Sequence, residues 1–231
     1  MITAGINRTI IKKIARALEE LNDQVIYVGG ATIGLYINDP AAEDVRPTKD
    51  VDISLSLATV GELEILRTAL QNKGFIQTAE DDIMCRFRYD DVKVDVMNTT
   101  AIGWAPANPW FAPGFAEREA ITIEGQRISI LPLPYFLASK FSAYRDRGNQ
   151  EPRTSHDFED VVYVLDNRTD IAEQILTAPN SVQQFLRTEL EDILRDQKKQ
   201  EAVFSNLPYE TRQDRFDRIM DTIRSIIGII E

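Results

Sequence analysis

The sequence predicts an α+β protein of two lobes, with strands and helices interleaved over residues 1–131 and helices alone over 132–231. Three observations carry this. Short strand-like runs bounded by Gly, Asn and Asp recur up to residue 131, and from Pro132 onward every apolar stripe has helical period. The 231 residues are 43% hydrophobic and 27% charged, which is enough for one large domain or two small ones with cores.

Taken in order, residues 7–21 place Ile10, Ile14, Ala17, Leu18 and Leu21 at helical spacing, and 24–28 read as a short buried strand ending at Gly29-Gly30. Residues 31–37 read as helix. Residues 38–49 are polar with two prolines and read as a loop that delivers the chain to a second strand, 50–57. A helix follows at 63–70. Residues 84–89 and 92–97 form a hairpin around Asp90-Asp91, and 117–123 with 127–130 form another around Glu124-Gly125. Between them, 98–116 hold three prolines, both tryptophans and two phenylalanines without periodicity, which suits either a lid or a compact loop packed on itself. The helical lobe reads as 135–145, 155–166, 171–176, 182–197 and 210–230, the last with Phe216, Ile219, Ile223, Ile226, Ile227 and Ile230 along one side.

Composition narrows the chemistry. No run approaches the roughly 18 apolar residues of a membrane span, and no basic segment leads into an apolar one at the N-terminus, so a soluble, cytoplasmic protein without a membrane partner is expected. Cys85 and His156 stand alone in their types, which excludes an internal disulfide and a Cys/His zinc site. Any metal must therefore have oxygen ligands. The formal charge is −11, with 13 Lys+Arg against 19 Asp+Glu over 1–130 and 13 against 18 over 131–231. Neither half is basic, which argues against a general nucleic-acid binder but leaves room for a local basic groove.

Strand alternation puts Asp50 and Asp52 on one face with Val51, Ile53 and Leu55 on the other, and sets Asp95 opposite Val92, Val94 and Val96. Three carboxylates without counter-cations of their own repel one another unless a cation sits among them. Magnesium suits this donor set, and two ions about 3.5–4 Å apart would activate a hydroxyl and stabilise a pyrophosphate leaving group. A strand-Gly29-Gly30-helix turn would let backbone N–H groups approach phosphate. Separately, an Asp-x-Asp on a half-exposed strand is ordinary surface and Gly-Gly an ordinary turn; their combination is more specific.

The run Gly29-Gly30, then Arg46-x-Thr48-x-Asp50-Val51-Asp52, then Asp95 in VKVDVM, resembles the core motif of the DNA polymerase beta-like nucleotidyltransferase superfamily. With ILPLPYFLASKFSAYRDRG and HDFEDVVYVL it is similar to the AbiEii and MenT branch, toxins of toxin–antitoxin systems, over roughly residues 25–166. The resemblance implies a mixed-sheet nucleotidyltransferase core and a helical domain. It implies Asp50, Asp52 and Asp95 as metal ligands, and Gly29, Gly30 and Thr48 on the nucleotide. NTP would be the substrate, a tRNA 3′ end the acceptor and an antitoxin protein the partner; other members modify proteins or small molecules, which the acidic balance favours. One departure is the long gap between Gly30 and Asp50.

In the helical lobe Lys140 lies one turn from Phe136 on the edge of an apolar stripe. It is either a lysine with its stem on apolar surface and its ammonium in water, or, as the resemblance implies, a triphosphate ligand that neutralises developing charge. Asp157 follows Thr154 at capping-box spacing, and the resemblance makes it a functional aspartate supported by Asp160. His156 reads as a solvent-facing neighbour and Cys85 as strand packing. The expected reaction is metal-dependent NMP transfer from an NTP to an acceptor hydroxyl, with Asp95 as general base; the alternative is a non-catalytic binding or regulatory module on the same fold.

Overall fold

The computed structural model describes residues 3–42, 45–147 and 151–228. The chain divides into two compact units, Met1–Leu35 with Glu43–Pro132, and Tyr36–Ala42 with Leu133–Glu231. The α+β class holds: the first unit contains a six-stranded mixed sheet and the second is helical.

In the first unit, helix α1 (Thr3–Leu18) buries Ile11, Ile14 and Leu18 at i, i+3 and i+7. The chain then tightens into a 3-10 turn, Glu19–Gln24, and enters β1 (Ile26–Val28). The sheet continues with β2 (Asp50–Leu55), β3 (Arg86–Tyr89), β4 (Val92–Asn98), β5 (Glu119–Ile123) and β6 (Gln126–Ile130), in the order β3-β4-β2-β1-β6-β5. Strands β2 and β4 are parallel, as are β1 and β6, while the other three pairs are antiparallel. Both two-residue hairpin turns put their first residue at positive φ, Asp90 at 51° and Glu124 at 45°. Helix α2 (Val60–Asn72) opens on a full capping box between Thr59 and Glu62.

Two expectations for this unit are sharpened. The helix read over 31–37 is a 3-10 helix, Gly30–Leu35. Thr32 explains it, since its N–H (3.3 Å) and its hydroxyl (2.8 Å) both donate to the Gly29 carbonyl in an i→i+3 pattern, with Gly34 weakening any α-helical continuation. The aromatic stretch is a packed loop and not a free lid. The Asn98 amide donates to the carbonyls of Leu57 and Thr100 and its oxygen accepts from Leu57 N–H. Trp104 donates to Glu64 at 2.8 Å, and Arg67 stacks on its ring at 4.7 Å. A short helix, α3 (Phe111–Ala116), ends the loop.

The helical unit comprises α4 (Leu133–Asp146), α5 (His156–Asn167), α6 (Ile171–Leu176), α7 (Asn180–Arg195), α8 (Gln197–Ser205) and α9 (Arg212–Ile227). Helix α8 is absent from the sequence reading, which ran one helix to residue 197. Asp196 breaks the chain there and caps α8 by accepting from Lys198 N–H at 2.8 Å. Val182, Leu186, Leu190 and Ile193 of α7 and Ile219, Ile223 and Ile226 of α9 are buried, and the two helices pack together. Gly228, at φ 83°, closes α9, and Ile230 lies outside the described residues. Residues 36–42, which span the end of the expected helix and the start of the expected loop, belong to this unit: Tyr36 stacks on Phe136 with centroids 4.2 Å apart, and Arg168 donates to the Tyr36 carbonyl. Among the described residues no helix is long and apolar enough to cross a membrane.

Candidate functional site

Strand β2 carries Asp50 and Asp52 on one face, and its register with β4 places Asp52 beside Asp95 and Asp50 beside Lys93. On the opposite face Val51, Ile53, Val94 and Val96 are buried. Alternation has thus done what the sequence implied, and the three carboxylates share the polar face. The start of β2 is fixed by side chains: Thr48 Oγ1 accepts from Asp50 N–H at 3.0 Å, while Asn7 Oδ1 accepts from Thr48 N–H and Asn7 donates to the Arg46 carbonyl. Thr48 therefore positions Asp50.

Val28, the last residue of β1, is the register partner of Asp52. The next residue, Gly29, has φ +73°, and a Cβ built on it would lie 1.8 Å from Asp52 Oδ2. A side chain here would displace the carboxylate, so the glycine is required both for its backbone conformation and for this close approach. Because the turn leads into a six-residue 3-10 helix, the main chain after Gly29 lacks the aligned dipole of an α-helix.

One premise is overturned, namely that the three aspartates lack counter-cations. Arg86 faces Asp95 across β3 and β4 and takes it in a fork, Nε to Oδ1 and Nη2 to Oδ2, each at 2.7 Å, with the two side chains 16% and 14% exposed. The Asp95 hydrogen bonds raise the Arg86 pKa further above its ordinary value. Lys93 approaches Asp50 at 3.9 Å. The sequence held the signal: with a two-residue turn at Asp90-Asp91, Tyr89 pairs with Val92 and counting outward brings Arg86 opposite Asp95. Cys85 immediately precedes β3 and does not lie within it; it is buried, and its thiol is pushed up to about 11 by burial and then by the charge of Asp95.

Among the described residues, no three His, Cys, Asp or Glu side chains are grouped to hold a metal ion. The donor set nonetheless fits one. Asp50 and Asp52 offer only oxygens from one face of one strand, which suits a hard cation that completes its shell with waters and phosphate oxygens.

The helical unit holds Lys140, Asp157 and Asp160. Lys140 is 6% exposed, with Nζ 2.6 Å from Asp160 Oδ2 and 3.2 Å from Asp157 Oδ1. Its ammonium is thus inside a carboxylate pair, and the solvent-reaching reading is corrected. Arg147 adds a second cation to Asp157, 2.7 Å from Oδ2. Asp157 is not part of a capping box with Thr154, because Ser155 is the N-cap and accepts from Phe158 N–H. His156 is exposed as expected, with Nδ1 3.0 Å from Glu159.

No protein-family model and no curated protein matches the chain. Solved structures similar to it include two nucleotidyltransferase-like proteins. One is an antigenic nucleotidyltransferase-like protein from Paracoccidioides brasiliensis, at 18% identity and TM-score 0.48, covering 87% of this chain and 93% of that one. The other is the antibiotic-resistance factor ANT(2'')-Ia, at 16% identity and TM-score 0.49, covering 81% of this chain and 95% of that one.

Proposed function

We propose that the chain is a magnesium-dependent nucleotidyltransferase of the DNA polymerase beta-like superfamily, moving an NMP group from an NTP to an acceptor hydroxyl. The observation that carries this reading is the shared face of Asp50, Asp52 and Asp95 beside a glycine that leaves Asp52 no room for a neighbouring side chain. The acceptor oxygen bonds to the α-phosphorus as the bond from that phosphorus to the bridging oxygen breaks, and pyrophosphate leaves with the electron pair. Asp95 receives the hydroxyl proton; the fork from Arg86 leaves further lone pairs on its oxygens. Magnesium held by Asp50 and Asp52 supplies Lewis-acid stabilisation of phosphate oxygens. Gly29 and Gly30 bring main chain to the triphosphate, and Thr48 sets the direction of Asp50.

As a proposed phosphate ligand Lys140 would act from a buried position between Asp157 and Asp160, which otherwise hold it as an internal charge of the helical unit. Purified protein incubated with magnesium and each labelled NTP, against total tRNA and against total protein, tests the reaction and its acceptor in one gel. Label transfer lowered by about 10²–10³-fold in Asp50→Asn is expected, and transfer equal in both proteins would end the reading.

On the acceptor, the formal charge of −11 supports a protein or small-molecule hydroxyl. The Arg46-x-Thr48-x-Asp50-Val51-Asp52 run supports the AbiEii and MenT alternative, a toxin acting on tRNA 3′ ends and held by an antitoxin. Growth arrest on induction, lost in Asp52→Ala, distinguishes it. A non-catalytic binding module is the second reading, and one observation favours it: Arg86 already neutralises Asp95.

A further inference from the structure

Asp52 and Asp95 are direct register partners on parallel neighbours, strands that run about 4.8 Å apart, so their carboxylates repel unless a cation intervenes. Arg86, the register partner of Asp95 on its other side, supplies that cation from within the chain. A guanidinium is planar and permanently charged, and its fork takes one lone pair on each carboxylate oxygen. A metal ion at Asp95 would therefore stand beside a fixed positive charge and find the carboxylate's own charge already balanced, whereas a neutral hydroxyl proton donor meets no such repulsion. Asp50 is differently placed: its side chain is 48% exposed, and Lys93 stands 3.9 Å away, beyond hydrogen-bond length.

We propose that Arg86 is the resident cation of this site, holding Asp95 out of the metal's shell, so that the chain binds one divalent ion at Asp50 and Asp52 and not two. The inference rests on the metal site proposed above and narrows it. Arg86 is a positioning residue in this scheme. Its guanidinium balances the charge of Asp95 yet has no open coordination position and polarises no bound water. The proton acceptor and the metal ligands are thereby separated onto different strands, Asp95 on β4 and the Asp50–Asp52 pair on β2.

The test is a titration of the full chain with Mn2+ followed by electron paramagnetic resonance, without nucleotide. Wild type is expected to bind one ion per chain and Arg86→Gln two, because the freed Asp95 becomes a ligand. The double variant Arg86→Gln/Asp95→Asn removes both charges together and preserves the shape of the pair. It is expected to bind one ion with affinity within about threefold of wild type, as the pair acts as a unit apart from the metal. Two ions in wild type, one ion in folded Arg86→Gln, or a loss of roughly tenfold or more in the double variant would overturn the inference and leave the metal site standing. If Arg86→Gln does not fold, the double variant decides alone. No bound Mn2+ in wild type, as in an Asp52→Asn control, would instead overturn the metal site itself.

Discussion

Gly29 and Asp52 approach so closely that the carboxylate occupies the space a side chain on the glycine would fill: a Cβ there would lie 1.8 Å from Oδ2 and 2.7 Å from Cγ. Gly29→Ala must therefore move Asp52 or unmake the turn, and at φ +73° it also carries the left-handed penalty of about 1–2 kcal/mol. The expected result is a folded protein with a lowered melting temperature and label transfer reduced by about 10²-fold or more, since a displacement near 1 Å is costly in a positioned site. Circular dichroism and the labelled-NTP assay together check it; full activity in a folded Gly29→Ala protein would remove the close approach from the argument.

Chelation addresses the metal directly. EDTA is expected to abolish label transfer and Mg2+ to restore it. Asp50→Asn and Asp52→Asn should each lower activity by about 10²–10³-fold, the order seen when transition-state charge stabilisation is lost. Activity that survives exhaustive chelation would contradict the assignment.

Lys140 sits within reach of two buried carboxylates, so Lys140→Met leaves Asp157 and Asp160 with less compensation in a dry environment. The expected cost is about 3–5 kcal/mol of stability, the range for breaking a buried ion pair from one side. Neutralising the acids as well, in Lys140→Met/Asp157→Asn/Asp160→Asn, should recover much of it. Chemical denaturation of the three proteins measures both effects, and an unchanged midpoint in the single variant would show that the lysine's charge is not structural.

Glu189, 1% exposed on α7, has its carboxyl raised above the ordinary value of 4.5 by burial, against the opposing pull of the Arg145 guanidinium in contact with it. A raised acid binds its proton more tightly folded than unfolded. Its contribution is therefore fully present below pH 4.5 and is lost as pH rises through the folded value. Glu189→Gln should gain stability relative to wild type as pH rises above 4.5, and should show no relative gain below it. Urea midpoints of the two proteins between pH 4 and pH 8 are the measurement.

The Cys85 thiol, pushed up to about 11, should react with iodoacetamide much more slowly at pH 8 than an exposed thiol, with a rate that climbs toward pH 11. A rate profile centred near 8.5 would show the thiol to be accessible to water.

Much of the fold was legible because it depends on local rules. Alternation placed Asp50, Asp52 and Asp95 on the polar face, and turn residues placed both hairpins. What escaped were events decided by a single competing bond. Thr32 bonding back to Gly29 tightened the expected helix into a 3-10 form, and Asp196 capping Lys198 N–H started a further helix where none was expected. Burial of Lys140 was illegible for another reason: its position on α4 sets a face, but the acids that meet it come from α5, seventeen and twenty residues later. Arg86 could have been found by counting across the hairpin, since nothing beyond the turn length is needed.

That turn length has a genetic consequence. Asp90 and Asp91 form no part of the carboxylate row, yet one residue added between them, wherever the tight two-residue turn re-forms instead of widening to three, slips β3 by one position against β4 and carries Arg86 from the polar face to the face where Phe87 is now buried. Asp95 would lose its guanidinium without any change to a residue at the site. A single inserted codon at the hairpin tip that shifts the register is thus as consequential as a substitution of Arg86.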